Sequence, residues 1–336
     1  MSTAGMKPDP TRPAQANNVV APSPEAISRA VELLRQGQVV GMPTETVYGL
    51  AGDGLNPAAL ARIFEVKQRP LFDPLILHFA DAAAAFDVAE QLSTSARELA
   101  QRFWPGPLTL VVPKKDLIPD LATSGLPNVA IRVPAHPVAQ QLLRAFKGPL
   151  AAPSANRFGR ISPTDAQAVR TELGDAVPLI LDGGPCAVGV ESTVLYLSGP
   201  QPVLLRAGGI PLEEIEAVIG PVRHAAPVED RPQSPGQLKH HYAPRKPLRL
   251  TRDVTAIPSR ADVGLLVFAN PEWTRDFPGV IENVSPNGDL REAAANFFRA
   301  MRKLDDDPRV TELYAMSFPA EGLGLAINER LERASG

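Results

Sequence analysis

Lys67 and Arg69, two cations two residues apart ahead of Pro70, suit the grip of a polyphosphate, lysine as a point charge and arginine as a planar fork. At the end of a helix, the same pair also complements the negative dipole of the C-terminus. The stretch Met42-Pro43-Thr44-Glu45-Thr46-Val47-Tyr48-Gly49-Leu50 sets three hydroxyls and a carboxylate directly after the apolar Val39-Val40-Gly41. A buried strand opening into such a cluster can wall a small-ligand site, with Gly49 free to take an unusual backbone angle; a plain turn is the alternative. Ala151-Ala152-Pro153-Ser154-Ala155-Asn156 and Gly159-Arg160-Ile161-Ser162-Pro163-Thr164 offer small hydroxyls, an amide and backbone N–H groups for phosphate or ribose. Ser162-Pro163-Thr164 reads equally well as a helix cap. Arg132 ends an apolar run, and a buried arginine needs an anion, either a substrate carboxylate or an internal Asp or Glu. Glu191-Ser192-Thr193 precedes one apolar run and Arg206 follows another. His78 lies inside an apolar strand, where a histidine is commonly a satisfied core residue. His240-His241-Tyr242 lacks a third ligand, so no protein-held metal is expected.

The elements that must position these groups alternate. Ser23-Pro24-Glu25 reads as an N-cap followed by proline at the first helical position, with Gly37 as the stop. Strands are expected at 38–42, 75–79, 108–112, 129–133, 150–152, 179–181, 193–197 and 203–205, and helices at 57–66, 95–103, 137–146, 164–173 and 212–219. Eight or so strands with fewer helices between them indicate an α/β fold with a twisted mixed sheet and flanking helices. Prolines 221, 227, 232, 235, 244 and 247 punctuate a linker over 221–247. Beyond it, strands at 263–268, 280–284 and 312–316 with helices at 290–304 and 324–333 predict a small βαβ-like unit over 248–336. Residues 1–22 lack hydrophobic periodicity and read as a disordered leader, leaving 23–220 as the main domain.

The chain has 336 residues and a formal net charge of -3, which argues against coating nucleic acid by bulk electrostatics. A single cysteine, Cys186, excludes an internal disulfide and a multi-cysteine metal site and suits a small buried role. Neither a bilayer-length apolar run nor a signal pattern occurs, so the expectation is a cytoplasmic protein. The G-x-x-x-x-G-K-[ST] phosphate loop is absent, and the Gly49, Gly52, Gly54 spacing is not the dinucleotide fingerprint.

Taken in order, Pro43 to Leu50, Lys67-Gln68-Arg69-Pro70, Ser154-Ala155-Asn156, Glu191-Ser192-Thr193, Leu205-Arg206-Ala207-Gly208, Ser234-Pro235-Gly236 with His241-Tyr242-Ala243-Pro244, and the closing Gly324 to Leu331 resemble the threonylcarbamoyl-AMP synthase family in its long form. The resemblance implies a YrdC-like domain, a linker and a small Rossmann-like C-terminal domain. It implies that L-threonine, bicarbonate or CO₂, and ATP with Mg²⁺ give threonylcarbamoyl-AMP and pyrophosphate, an ATP-dependent nucleotidyl transfer that begins tRNA threonylcarbamoyladenosine formation. The product would pass to a tRNA threonylcarbamoyl transferase, with at most a weak tRNA contact and no membrane.

By the same resemblance Lys67 and Arg69 are catalytic and hold ATP phosphates, while Asp73, Ser154, Asn156, Ser162, Arg206, His241 and Tyr242 complete the nucleotide site. Thr46, His78, Arg132, Ala152 and Ser192 form the threonine pocket. The segment with His241 and Tyr242 is expected to fold across the mouth. Asp73 stands where the family pattern calls for Asn, and a carboxylate there repels phosphate unless a cation intervenes. The alternative is a YrdC-like module that binds tRNA or double-stranded RNA without catalysis. Carbamoyl-transfer maturation enzymes with a similar domain carry cysteine-rich zinc segments, which a chain with one cysteine lacks.

Overall fold

The protein, analysed as a computed structural model, is described over residues 18–225 and 241–336. Among the described residues the strands form two sheets. The large one runs in the order β1 (Val19–Val20), β8 (Ile180–Leu181), β2 (Val40–Met42), β3 (Gly49–Asp53), β7 (Leu150–Ala151), β4 (Ile76–His78), β6 (Asn128–Arg132), β5 (Leu108–Pro113), β9 (Thr193–Tyr196), β10 (Val203–Arg206) and β11 (Arg223–His224). Its pairings are mixed: β4 runs parallel to β6, whereas β3 and β4 are both antiparallel to β7. The second sheet, β12 (Leu248–Thr251), β15 (Glu312–Met316), β13 (Val263–Val267) and β14 (Val280–Asn283), is wholly parallel. This is the mixed α/β architecture expected, with a separate small parallel sheet.

Helix starts follow their caps. Ser23 accepts from the Ala26 N–H ahead of α1 (Pro24–Arg35), and Asn56 accepts from Ala58 ahead of α2 (Pro57–Lys67), each with proline at the opening. Apolar residues of α1 and α6 (Pro137–Phe146) bury against β2, β3 and β8. Helices α3 (Ala82–Asp87), α4 (Thr94–Phe103), α5 (Asp120–Thr123), α7 (Ala166–Leu173) and α8 (Leu212–Ile219) complete the first part. In the second, α9 (Leu290–Asp306) buries Ala293, Phe297, Met301 and Leu304 along one stripe, and α10 (Leu323–Ala334) packs beside it.

Several elements differ from the sequence expectation. Gly49 takes no positive φ; it opens β3 opposite Met42, and its lack of a side chain matters because a Cβ would lie 3.0 Å from that of Ala152. Strand β3 was hidden because Gly-Leu-Ala-Gly-Asp lacks the β-branched residues that mark strands. Strand β2 begins at Val40, two residues later than expected. The span assigned to a leader is structured at Val19–Val20, which pair with β8, while residues 1–17 lie outside the described residues. Residues 226–240, including His240 and the Ser234-Pro235-Gly236 motif, also lie outside them. On the near side of that gap Arg223–His224 pairs in parallel with β10, so this part of the expected linker is sheet.

The two sheets share one buried core. The cluster containing Leu195 and Leu204 continues through Tyr242 into Phe297, Phe298 and Leu313. Gly189 (φ +77) lets the chain touch α9 backbone to backbone: a Cβ there would lie 2.3 Å from the Ala294 carbonyl oxygen.

Candidate active site

Strands β2, β4, β6, β9 and β10 end around one narrow cleft of about 40 Å³. Thr46, Arg69, His78, Arg132, Ala152, Ser154, Ser192, Arg206, His241 and Tyr242 line it together with Glu191. Lys67, Asp73, Asn156 and Ser162 stand behind that lining, each buried and each bonded to a wall residue or to the loop that carries one.

The segment after β2 folds on itself. Thr44 Oγ1 donates to the Val47 carbonyl at 2.6 Å and lies 2.8 Å from Thr46 Oγ1. Since a hydroxyl has one proton, Thr46 is the donor of that second contact, and its oxygen retains acceptor capacity on the cleft side. Glu45 turns the other way: its carboxylate takes the Arg132 Nη2–H at 2.5 Å and the Ala135 N–H at 3.0 Å. The internal partner anticipated for Arg132 is thus Glu45, with the Gly106 carbonyl receiving Nε at 3.3 Å. Tyr48 is buried beneath the wall and donates to the Gly184 carbonyl at 2.8 Å.

His78 pairs in register with Arg132 on neighbouring parallel strands. Burial, aided by the Arg132 charge, lowers its pKa to about 3, so the imidazole is neutral at physiological pH.

Helix α2 ends with Gln68 in the left-handed region (φ 53), which sends Lys67 and Arg69 in different directions. Lys67 Nζ donates to the carbonyls of Ser154 and Asn156, tying α2 to the 153–157 loop. Burial, followed by the neighbouring Arg69 charge, pushes the Lys67 pKa well down. Arg69 meets Asp73 across a buried 2.8 Å ion pair and donates to the backbone carbonyls of Asp73 (3.1 Å) and Pro74 (2.8 Å). The cation that offsets Asp73 is therefore Arg69. Asn156 donates to the carbonyls of Arg157 and Arg160, both at 2.8 Å, and its Oδ1 has no partner among the described residues.

On the opposite wall, Arg206 donates twice to the Ser192 carbonyl, at 3.1 and 2.9 Å, and to Ser192 Oγ at 3.1 Å. Ser192 Oγ also lies 2.7 Å from Thr109 Oγ1. Gly208 makes this approach feasible, because a Cβ would sit 2.3 Å from the backbone of Glu191, Ser192 and Thr193.

Glu191 accepts from Ser162 Oγ at 2.5 Å and from Arg330 Nε at 2.7 Å. Burial opposes its charge, yet Arg330, Arg206 and these hydrogen bonds together hold its pKa at about 2. Sequence reasoning set Glu45 in the wall without naming it as the Arg132 partner, and missed Arg330 as a site-forming residue. The signal for Arg330 was an arginine in the closing motif with no carboxylate three or four residues away on its helix.

His241 and Tyr242 cover the cleft. Tyr242 is buried with φ +66, its ring 4.1 Å from that of His241 and 5.6 Å from that of Phe298. The Ala243 N–H donates to the Gly159 carbonyl at 2.7 Å, pinning the strap across the 153–160 loop. Burial lowers the His241 pKa to about 3. Cys186 is buried, and burial raises its thiol pKa, which does not favour a nucleophile.

A mixed sheet whose strand ends gather three arginines, a neutral histidine and hydroxyls under a strap defines an α/β protein built to bind small anions. The chain belongs to the Sua5–YciO–YrdC family: that family model, described as "Telomere recombination", matches residues 32–208, and the threonylcarbamoyl-AMP synthase C-terminal domain matches 210–336. A Bacillus subtilis threonylcarbamoyl-AMP synthase is 41% identical over 92% of this chain and 93% of its own length. One from Pyrococcus abyssi is also 41% identical, over 91% and 93%. The solved P. abyssi Sua5 complexed with L-threonine superposes with a TM-score of 0.85 at 39% identity, covering 92% of this chain and 94% of that one. A P. abyssi Sua5 with adjacent histidine and tyrosine replaced by alanine gives a TM-score of 0.84 at 38% identity, covering 92% of each chain.

Proposed function

We propose that this protein is a threonylcarbamoyl-AMP synthase: it condenses L-threonine, bicarbonate and MgATP into threonylcarbamoyl-AMP and releases pyrophosphate. The observation that carries this reading is one cleft lined both by Thr46, His78, Arg132 and Ser192 and by Arg69, Ser154 and Arg206, in a chain of this family. Threonine would lie with its carboxylate toward Arg132, whose five N–H donors allow service to a ligand as well as to Glu45. Its ammonium group would meet acceptors, Thr46 Oγ1 and neutral His78, and its hydroxyl would pair with Ser192.

The amine, once neutral, attacks the carbon of bicarbonate to form a carbamate with loss of water. A carbamate oxygen then attacks the α-phosphorus as the bond to the pyrophosphate oxygen breaks. Such in-line transfer needs two anions brought together and their charge offset, and no protein nucleophile. Arg69 and Arg206 would supply that charge directly. Lys67 would hold the 153–157 loop with Ser154 toward the nucleotide.

The cleft's carboxylates are committed to Arg132, Arg69 and Arg330, which suits Mg²⁺ arriving on the triphosphate oxygens as part of MgATP. At about 40 Å³ the covered cleft is far too small for MgATP, so the His241–Tyr242 strap would lift to admit it and close to keep water from the carbamate.

Residues 23–220 would be the catalytic domain, 221–247 the linker whose His241–Tyr242 end closes the site, and 248–336 the supporting domain. No helix among the described residues is long and apolar enough to cross a membrane. The reaction would take place in the cytoplasm, and the product would pass to a tRNA threonylcarbamoyl transferase.

An RNA-binding module without catalysis is not favoured. Such a module presents its cations to solvent, whereas Lys67, Arg69, Arg132 and Arg206 are 1%, 7%, 3% and 4% exposed. The test is pyrophosphate release from MgATP and bicarbonate with and without threonine. Release that depends on threonine supports the assignment, and release indifferent to threonine overturns it.

A further inference from the structure

The motif closing the chain takes no part in the chemistry above, yet its helix reaches the cleft at three points. Arg330, fully buried on α10, donates through Nε to Glu191 at 2.7 Å and through Nη1 to the Ala207 carbonyl at 2.9 Å. Its neighbour Glu329 accepts the Ala207 N–H at 3.2 Å. Both polar groups of the residue directly after Arg206 are therefore held by one turn of α10. The Arg330 guanidinium also lies 5.5 Å from the centre of the Tyr242 ring, and the Arg333 carbonyl accepts the His241 N–H at 3.2 Å.

We propose that Arg330 is a positioning residue for the nucleotide half of the site. It neutralises Glu191 and anchors Ala207, so that Arg206 keeps its seat on Ser192 and faces the ligand. The proposal rests on the synthase reading for the identity of that ligand.

The electrostatic reason is local. Glu191 is a cleft-lining carboxylate whose charge is offset by two guanidiniums, those of Arg330 and Arg206. Remove Arg330 and the buried carboxylate has Arg206 as its remaining strong counter-charge. Arg206 then rotates toward Glu191, leaves the Ser192 carbonyl and hydroxyl, and no longer offers its charge to a phosphate. The threonine end shares Ser192 with this wall, but its charged contact, Arg132, is held across the cleft by Glu45 and the Gly106 carbonyl.

The test uses the full-length protein, with KM for MgATP and for threonine measured separately and MgATP affinity measured by calorimetry without threonine. Arg330→Met raises KM for MgATP by 5- to 150-fold, roughly the span of couplings between distinct sites, and raises KM for threonine by a smaller factor, through Ser192 alone. The Glu191→Gln/Arg330→Met double variant removes both charges together. It recovers at least half of the lost MgATP affinity on a logarithmic scale, whereas a merely structural role predicts a double variant no better than the single one. Arg330→Lys, which keeps the charge but not the fork, falls between.

Should Arg330→Met fail to fold, Arg330→Lys carries the test: it keeps a cation beside Glu191, must fold, and must bind MgATP more weakly than wild type. Unchanged MgATP binding in Arg330→Met, or no recovery in the double, overturns the proposal. If the wild type shows no threonine-dependent pyrophosphate release while MgATP affinity responds as stated, the synthase reading falls and the positioning role stands.

Discussion

Replacing Glu191 with Gln removes one negative charge from a fully packed site without changing its shape, which allows the electrostatic content of the wall to be measured as stability. The Glu191 pKa lies at about 2 against an ordinary value of 4.5. At about 1.4 kcal/mol per pKa unit, that difference stabilises the folded protein by about 3 kcal/mol at neutral pH. The sign follows from the depressed pKa: the contribution is complete above about pH 4.5 and disappears as the pH falls through about 2. At pH 3 roughly half remains by the same relation. A protonated Glu191 and a glutamine leave Arg330 in nearly the same position, so the two proteins converge in acid.

The assay is urea unfolding of wild type and Glu191→Gln, followed by tryptophan fluorescence, at pH 7 and pH 3. A deficit near 3 kcal/mol that shrinks by about half is the expected result. A deficit below about 1 kcal/mol at pH 7, or one that does not change with pH, would refute the claim that Glu191 is held ionised by its two arginines.

Three further predictions concern the cleft and the joint between the sheets. Arg69→Ala combined with Asp73→Asn, which removes both buried charges of the pair, should cut turnover severely while the circular dichroism spectrum is retained; unchanged turnover would contradict the assignment of Arg69 to the phosphates. Thr46→Val should raise KM for threonine by about tenfold or more, because a buried polar partner is lost at equal volume, and an unchanged KM would remove Thr46 from the pocket. Gly189→Ala adds a Cβ that meets the backbone of Ala294 and Ala295 at 2.3 to 2.7 Å, at a residue with φ +77. It should lower the thermal midpoint by several degrees, and a midpoint equal to wild type would mean the sheets can shift apart freely.

Much of the frame was legible locally because caps and periodicity are local signals. The helix at Pro137–Phe146 and the strand at Glu312–Met316 fall where apolar spacing places them. Strand β12 was not found, since Leu-Arg-Leu-Thr follows a proline-rich run and offers a short alternation on its own; it exists because β15 provides a parallel partner. The six-residue helix α3, four of its residues alanine, carries no apolar stripe to read.

In the site, spacing marked the groups that end strands, and these are the ones on the cleft wall. It did not separate Ser154, on the wall, from Asn156 and Ser162, which hold the wall from behind, because orientation depends on the loop's tertiary bonds to Lys67 and Glu191. Nor could it pair Glu191 with Arg330 across 139 residues, a contact that only the packing of the second sheet against the first creates.

The central claim is that this cleft joins three substrates into one adenylate. Its most direct test is mass spectrometry of the product formed from threonine, MgATP and ¹³C-bicarbonate. The expected product is a species with the mass of AMP joined to a carbamoylated threonine, heavier by the single labelled carbon. An adenylate without the label, or AMP alone with no threonine adduct, would contradict it.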